Sequence, residues 1–393
     1  MAIDLCSIII IMKHLDNLTI HRFRGLRDLA LQELGQINLL VGANNSGKTS
    51  VLEAISTYCR PLDIGEWLKT SERREIKSSP KLPLDAFKWL FPQKNEVPKP
   101  SLYLGETYIS GNGSFQVVES RAIYNEMELL YQSEKDIEDS AEDWGDYYGD
   151  IEYNNRRGAE IELKAIFRNP PAGDARLLGR EFSEKIELWS NQRLSRHDFP
   201  NNDFYPQFPI DMVTSVSHRQ EKLESYLLSQ AILRGLKNEV IKLLQIVDGE
   251  IIDLEILSVG EPRPSIYINH KLLGFSPLSA FGDGVRRLLF IALSVAKVRD
   301  GVLLIDEIET AIHTEALGSS FAWIVQWCKL MDVQLFATTH SLEAIDAMLD
   351  ASDPDTDLVL YRLEKQESQT KAIRLDRETL HIVRDELGQE VRR

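Results

Sequence analysis

Cysteine is scarce in this 393-residue chain. Cys6, Cys59 and Cys328 stand far apart, with neither zinc-ligand spacing nor the density of a disulfide framework. Disulfide-stapled secreted scaffolds are thereby excluded, and the usage suits a reducing cytoplasm. Long apolar runs are missing as well. The greasiest stretch, Ile8-Ile9-Ile10-Ile11-Met12, falls far below the roughly 18 apolar residues that mark a membrane span. The charge ahead of it is Asp4, the wrong sign for a secretory signal. The expectation is a cytoplasmic protein with no membrane partner. Met12 is a candidate initiator, because organised sequence begins only after it, and N-terminal sequencing of the natively expressed protein tests this.

Positive charge is the third shortage. Lys and Arg number 45 against 61 Asp and Glu, a formal net charge of −16. Such a surface repels nucleic acid as a whole, so any DNA or RNA contact needs a local basic patch. The candidates are small: Arg22, Arg24 and Arg27; Arg73, Arg74 and Lys77; Arg156 and Arg157. Each reads more simply as solvated surface or as an intramolecular partner.

The chain does have the composition of a soluble globular protein, with 43% hydrophobic and 27% charged residues and room for one large domain or two. One stretch organises it. Gly42-Ala43-Asn44-Asn45-Ser46-Gly47-Lys48-Thr49 spells G-x-x-x-x-G-K-[ST], a phosphate-binding loop. A pattern this short also arises by chance, so its flanks decide. Upstream, Gln36 to Val41 is an apolar run of strand length; downstream, Ser50 to Ile55 is apolar at helical spacing. Strand, glycine-bounded loop and helix follow in the order phosphate binding needs. Amides from Gly42 through Asn44, Asn45, Ser46 and Gly47 to Ser50 would face the phosphates of a nucleotide. Lys48 would neutralise the β/γ oxygens, and the Thr49 hydroxyl would hold Mg²⁺.

A second group of motifs lies more than two hundred residues later. Gly282-Asp283-Gly284-Val285-Arg286-Arg287 is a glycine-rich turn opening a helix to Val298, again an anion-binding shape or an ordinary helix cap. Gly301-Val302-Leu303-Leu304-Ile305-Asp306-Glu307 is a buried parallel strand ending in two carboxylates. Asp306 would bind Mg²⁺, and Glu307 would orient the attacking water. Glu309 and His313 are four apart and could share a helical face as metal ligands, but no third ligand accompanies them. Val333 to Thr339 is a further strand, ending at His340.

Between the two groups the signals are looser. Leu18 to Leu26 alternates like an edge strand, with Leu29 to Leu31 as its partner. Proline-rich loops with a short helix at Leu84 to Leu90 follow. Strands are expected at Ser114 to Val118 and Ile161 to Phe167, flanking an acidic stretch from Glu134 to Asp143 that reads as solvated loop rather than metal site. His218 to Val247 turns helical, broken at Gly235; Ile251 to Leu257 and Ser265 to Asn269 read as strands, and a hairpin at Leu358 to Leu375 precedes a short helix at Leu380 to Val383.

A strand ending in Phe23-Arg24-Gly25, a hairpin, and then Ile37-Asn38-Leu39-Leu40-Val41-Gly42 with the phosphate loop resembles the head-domain ATPases of the ABC class. These include the structural-maintenance, RecF-like and overcoming-lysogenisation-defect groups. The Gly-Asp-Gly turn with Arg-Arg, and Asp306-Glu307-Ile308-Glu309 followed by His313, are most similar to the last of these. The resemblance covers most of residues 16–375 and implies an α/β P-loop fold: a mainly parallel central sheet, N-terminal antiparallel strands and an inserted α+β or helical lobe. Its division of the chain is a loose start (1–15), an N-terminal head part (16–60), the lobe (61–270), a C-terminal head part (271–375) and a tail (376–393).

The resemblance further implies an ATPase acting as a nucleotide-sandwich homodimer or larger homo-oligomer. Glu307 and His340 would be catalytic, and Arg24 would approach the phosphates, with a plain surface arginine as the alternative. Gly282, Asp283, Gly284 and Arg286 would act in trans on the partner's nucleotide. Gly282 replaces the serine usual in that signature, which removes a hydroxyl donor. His313 replaces the usual aspartate of the loop that crosses the dimer. Gln93 is the candidate for the glutamine that senses the γ-phosphate. The nuclease (Toprim) domain of the overcoming-lysogenisation-defect proteins is not expected to fit in the roughly fifty residues after His340, so a separately encoded nuclease or Toprim-like effector, most naturally in anti-phage defence, is the expected partner. A RecF-like repair clamp and a transporter's nucleotide-binding subunit are the alternatives.

Overall fold

The computed structural model describes residues 13–74, 84–93, 102–132, 153–168, 181–190, 208–220, 225–259, 264–366, 369–386 and 390–392. The apolar run at the start, the acidic stretch at Glu134–Asp143 and most of the irregular segment at 197–209 lie outside these residues.

Among the described residues, two six-stranded sheets and one of three strands carry the architecture. The chain opens with β1 (Asn17–Phe23) and β2 (Leu26–Leu31), then β3 (Ile37–Gly42), which runs into α1 (Lys48–Cys59). Helices α2 (Ile64–Glu72) and α3 (Leu84–Lys88) precede four antiparallel strands: β4 (Leu104–Asn112), β5 (Val117–Gln132), β6 (Tyr153–Phe167) and β7 (Glu181–Trp189). These join the first hairpin in one sheet of order β2-β1-β4-β5-β6-β7. β1, whose alternation reads as an edge strand, is therefore interior, pairing with β4 on its other side.

Strand β8 (Ile210–Val213) leads through α4 (Ser217–Gln220), α5 (Ser225–Leu233) and α6 (Lys237–Gln245) to β9 (Ile251–Leu257), β10 (Ser265–His270) and β11 (Gly274–Pro277), the small sheet. Among the described residues, the helical region at 218–247 holds three short helices. Then come α7 (Asp283–Lys297), β12 (Val302–Ile305), α8 (Thr314–Leu330), β13 (Gln334–Thr338), α9 (Leu342–Asp350), the hairpin β14 (Leu358–Gln366) and β15 (Gln369–Asp376), and α10 (Arg377–His381). The central sheet has the order β15-β14-β3-β13-β12-β8 and is parallel except for the last hairpin. Residues 61–270 thus supply strands to both large sheets as well as the small one.

The central strands are apolar on both sides because both sides are covered. Leu303 and Ile305 of β12, Leu335 of β13 and Leu39 of β3 enter one core, beneath α7, α8 and α9. Val302, Leu304, Phe336 and Leu40 enter the other, between α1 and the antiparallel sheet. The polar interruption in β3, Asn38, is fully buried and bonded: its side chain donates to the carbonyls of Gly35 (2.7 Å) and Leu335 (3.1 Å) and accepts from the Gly35 amide. Parallel pairing sets the carboxyl ends of β3, β12 and β13 side by side, where ligands bind in open α/β sheets.

Candidate nucleotide site

The loop after β3 can only be built with glycine at its two ends. Gly42 has φ 144° and an added Cβ would lie 2.5 Å from the Leu363 carbonyl oxygen; Gly47, at the start of α1, has φ 98°. Ala43, Asn44 and Asn45 are exposed at the rim, while Ser46, Lys48 and Ser50 are buried. Lys48 Nζ donates to the loop's own carbonyls, Gly42 O at 2.8 Å and Ala43 O at 3.1 Å. Burial lowers its pKa, opposed by the nearby carboxylates Asp306, Glu307 and Glu309. The Ser46 hydroxyl is buried and has no hydrogen-bond partner among the described residues. An ammonium held by loop carbonyls and an orphaned hydroxyl in a glycine-framed cradle fit a polyphosphate group.

Asp306 and Glu307 follow β12 directly. The Thr49 hydroxyl faces the Asp306 carboxylate at 3.1 and 3.2 Å, which brings together the two predicted Mg²⁺ residues from positions 257 apart in sequence. A hydroxyl and a carboxylate beside a phosphate cradle are the oxygen donors that Mg²⁺ prefers. Thr338, at the end of β13, braces both acids: its hydroxyl donates to Asp306 Oδ1 (2.6 Å) and accepts from the Glu307 amide (2.8 Å). Glu307 has φ 50°, a region side chains rarely adopt, and its Oε2 accepts from the Thr310 hydroxyl at 3.2 Å.

His340 lies just past β13. Its amide donates to Glu309 Oε1 (2.9 Å) and its carbonyl accepts from Arg392 Nη1 (2.7 Å). Glu309 is thus occupied with the His340 main chain, whereas His313 is 74% exposed and caps α8, its Nδ1 accepting from the Glu315 amide. The two do not form the metal pair their spacing allows, and no group of three or more potential ligands occurs among the described residues.

Arg24 lies beside α1, where its Nε donates to Glu53 Oε2 at 2.7 Å. Arg74 grips the same fully buried carboxylate through two bonds of 2.7 Å and reaches the Ser50 hydroxyl at 3.0 Å. Of the other small basic groups, Arg73 pairs with Glu66 (2.8 Å) and Arg22 with Glu106 (3.5 Å). Gln93 bridges its main chain to Gly105, with no hydrogen bond to Thr49 or Asp306 among the described residues.

The Gly282-Asp283-Gly284 turn opens α7 with no side-chain cap. Asp283 is held below the ordinary carboxylate range by a hydrogen bond from Arg219, whose Nε lies 2.9 Å away. Arg286 donates to the His218 carbonyl (2.8 Å). Its neighbour Arg287 turns inward instead, to the carbonyls of Asp306 (3.1 Å) and Glu307 (3.2 Å). Two residues of the site, Thr338 and Arg287, are not singled out in the sequence, and Glu309, a candidate metal ligand there, holds the His340 amide instead. The Arg-Arg pair is a visible signal for Arg287; Thr338 carries no local pattern.

Fold and site together define a P-loop ATPase fold. Residues 37–346 match AAA_21, described as "AAA domain, putative AbiEii toxin, Type IV TA system", and the chain belongs to that family. It is 39% identical over 69 residues to the uncharacterized protein MJECL11 of Methanocaldococcus jannaschii, covering 18% of this chain and 60% of that protein. It is 55% identical over 42 residues to the DNA replication and repair protein RecF of Acinetobacter baumannii, covering 11% of this chain and 12% of RecF. The matches thus span less than two thirds of either relative. Among solved structures, it aligns with an Smc head domain bound to the C-terminal domain of ScpA derived from Pyrococcus furiosus, at 11% identity and a TM-score of 0.48, over 96% of this chain and 100% of that one. The SMC head domain from Thermotoga maritima aligns at 12% identity and a TM-score of 0.41, over 92% and 99%. No helix among the described residues is long and apolar enough to cross a membrane.

Proposed function

We propose that the protein binds and hydrolyses ATP between two copies of itself and uses that cycle to control an effector. The observation that carries the reading is the meeting of Thr49 with Asp306, itself braced by Thr338, beside the Lys48 cradle. Amides of Gly42 to Ser50 and the Lys48 ammonium bind the phosphates. Thr49 and Asp306 would hold Mg²⁺, which when bound neutralises charge on the β/γ oxygens. Glu307 orients and polarises the attacking water. The water oxygen bonds to the γ-phosphorus as the bond to the bridging oxygen breaks, giving ADP and phosphate. His340, just past β13, would contact the γ-phosphate, and Arg24, which pairs with Glu53 beside α1, would contribute positive charge. The Gly282-Asp283-Gly284 turn, with Arg286, contacts the nucleotide of the second subunit. Catalysis of this kind is positioning and charge stabilisation.

The effector of this reading is a separately encoded nuclease or Toprim-like protein in a cytoplasmic anti-phage system. The Gly-Asp-Gly…Arg-Arg pattern supports it, as does a family description that names a putative toxin of a toxin–antitoxin system. A RecF-like clamp is the second reading, favoured by the short stretch of 55% identity; it requires ATP-dependent DNA binding with a steep salt dependence. The test of the site is Lys48→Ala, which removes the charge that the phosphates need. Loss of fluorescent-ATP binding is expected, with the fold intact by circular dichroism. Undiminished affinity would overturn the assignment.

A further inference from the structure

Arg287 lies one helical turn beyond Gly284 on α7 and is fully buried. Its hydrogen bonds go to main-chain carbonyls: Nη1 donates to Thr214, and Nη2 to both Asp306 and Glu307. Burial brings its pKa down to about 10, against the pull of the three carboxylates Asp306, Glu307 and Glu309, so it is still charged near neutrality. An apolar side chain of similar volume would fill the space without the desolvation cost. What the guanidinium adds is a rigid fork of donors.

The fork grips the turn that carries the water-orienting acid. On one side of Glu307, Thr338 of β13 holds its amide; on the other, Arg287 of α7 holds its carbonyl. The left-handed backbone at Glu307 is thus fixed from two different elements. The same helix begins with Gly282-Asp283-Gly284, and Gly284 lies against the Ala311 carbonyl, where an added Cβ would approach to 3.0 Å. Any displacement of the first turn of α7 therefore acts on the 306–311 loop at both ends.

We propose that Arg287 is a positioning residue that couples the Gly282–Gly284 turn to Glu307, so that docking of this turn on a partner's nucleotide sets hydrolysis in the subunit's own site. The inference rests on the two-subunit reading above. It makes each subunit's turnover answer to the nucleotide held by the other.

Mixed assemblies of two differently tagged chains, purified in Mg²⁺-ATP, test it. In the first, a Glu307→Gln chain is paired with an Arg287→Gln chain. In the second, both substitutions sit on one chain and the other is wild type. In each, a single site can hydrolyse ATP while the other only binds it. Turnover about 10–100-fold below a Glu307→Gln/wild-type control is expected for the first assembly, and turnover equal to the control for the second. Equal turnover in both, or a loss confined to the second, would overturn the coupling, because Arg287 would then serve general stability or the signature turn itself. Arg287→Lys, which keeps the charge but not the fork, gives the same ordering with a smaller drop and replaces Gln if that variant misfolds. Failure of Glu307→Gln and wild-type chains to pair in ATP would instead contradict the two-subunit reading.

Discussion

Asp306 is the residue on which the site converges, accepting hydrogen bonds from Thr49 of the phosphate-loop helix and Thr338 of the neighbouring strand. Its charge is needed only if a divalent cation sits between it and the phosphates. Asp306→Asn keeps the shape and removes the charge. ATP binding without metal should persist, while the Mg²⁺ concentration for half-maximal turnover rises by about 10–100-fold; an unchanged Mg²⁺ dependence would place the metal elsewhere. Lys48, Thr49, Asp306 and Glu307 are legible as candidates in the sequence because their residue types stand at fixed local spacing after a strand. Thr338 and Arg287 are not, because each acts across a tertiary contact 19 to 32 positions away in sequence and has no spacing of its own; Glu309 has a spacing to His313, but its observed partner is the His340 amide.

At the level of elements, the site depends on the register of β3, β13 and β12, which packing on both faces fixes. Leu304 of β12 is completely buried on the α1 side of the sheet, two residues before Asp306. Leu304→Ala should cost about 2–5 kcal/mol, seen as a lower denaturation midpoint, and should weaken turnover at temperatures where the fold still holds. A stability within about 0.5 kcal/mol of wild type would mean that β12 is not the central strand described. The parallel strands could be read directly, since apolar runs flanked by glycine mark strands covered on both faces. The pairing of β1 with β4 could not. It joins residues some ninety positions apart, and alternation alone does not tell an edge strand from an interior one. For the same reason the span 61–270 reads as a lobe, although β8 hydrogen-bonds to β12 in the central sheet.

For the whole molecule, the two cores lie on opposite faces of one sheet, and the carboxyl ends of its strands hold Lys48, Asp306, Glu307 and His340. The Gly282–Gly284 turn belongs to the same chain, yet its role in this account is on a second copy. The net charge of −16 bears on the competing clamp reading. DNA binding that appears only with ATP and falls steeply with salt would favour it; none at physiological salt favours effector control. The most direct test of the composite site is the solution mass of Glu307→Gln by light scattering, with and without Mg²⁺-ATP. A shift from one chain to two or more on adding Mg²⁺-ATP is expected, with ATP retained and turnover slowed. A mass that stays at one chain while ATP is bound and hydrolysed at the wild-type rate would contradict it.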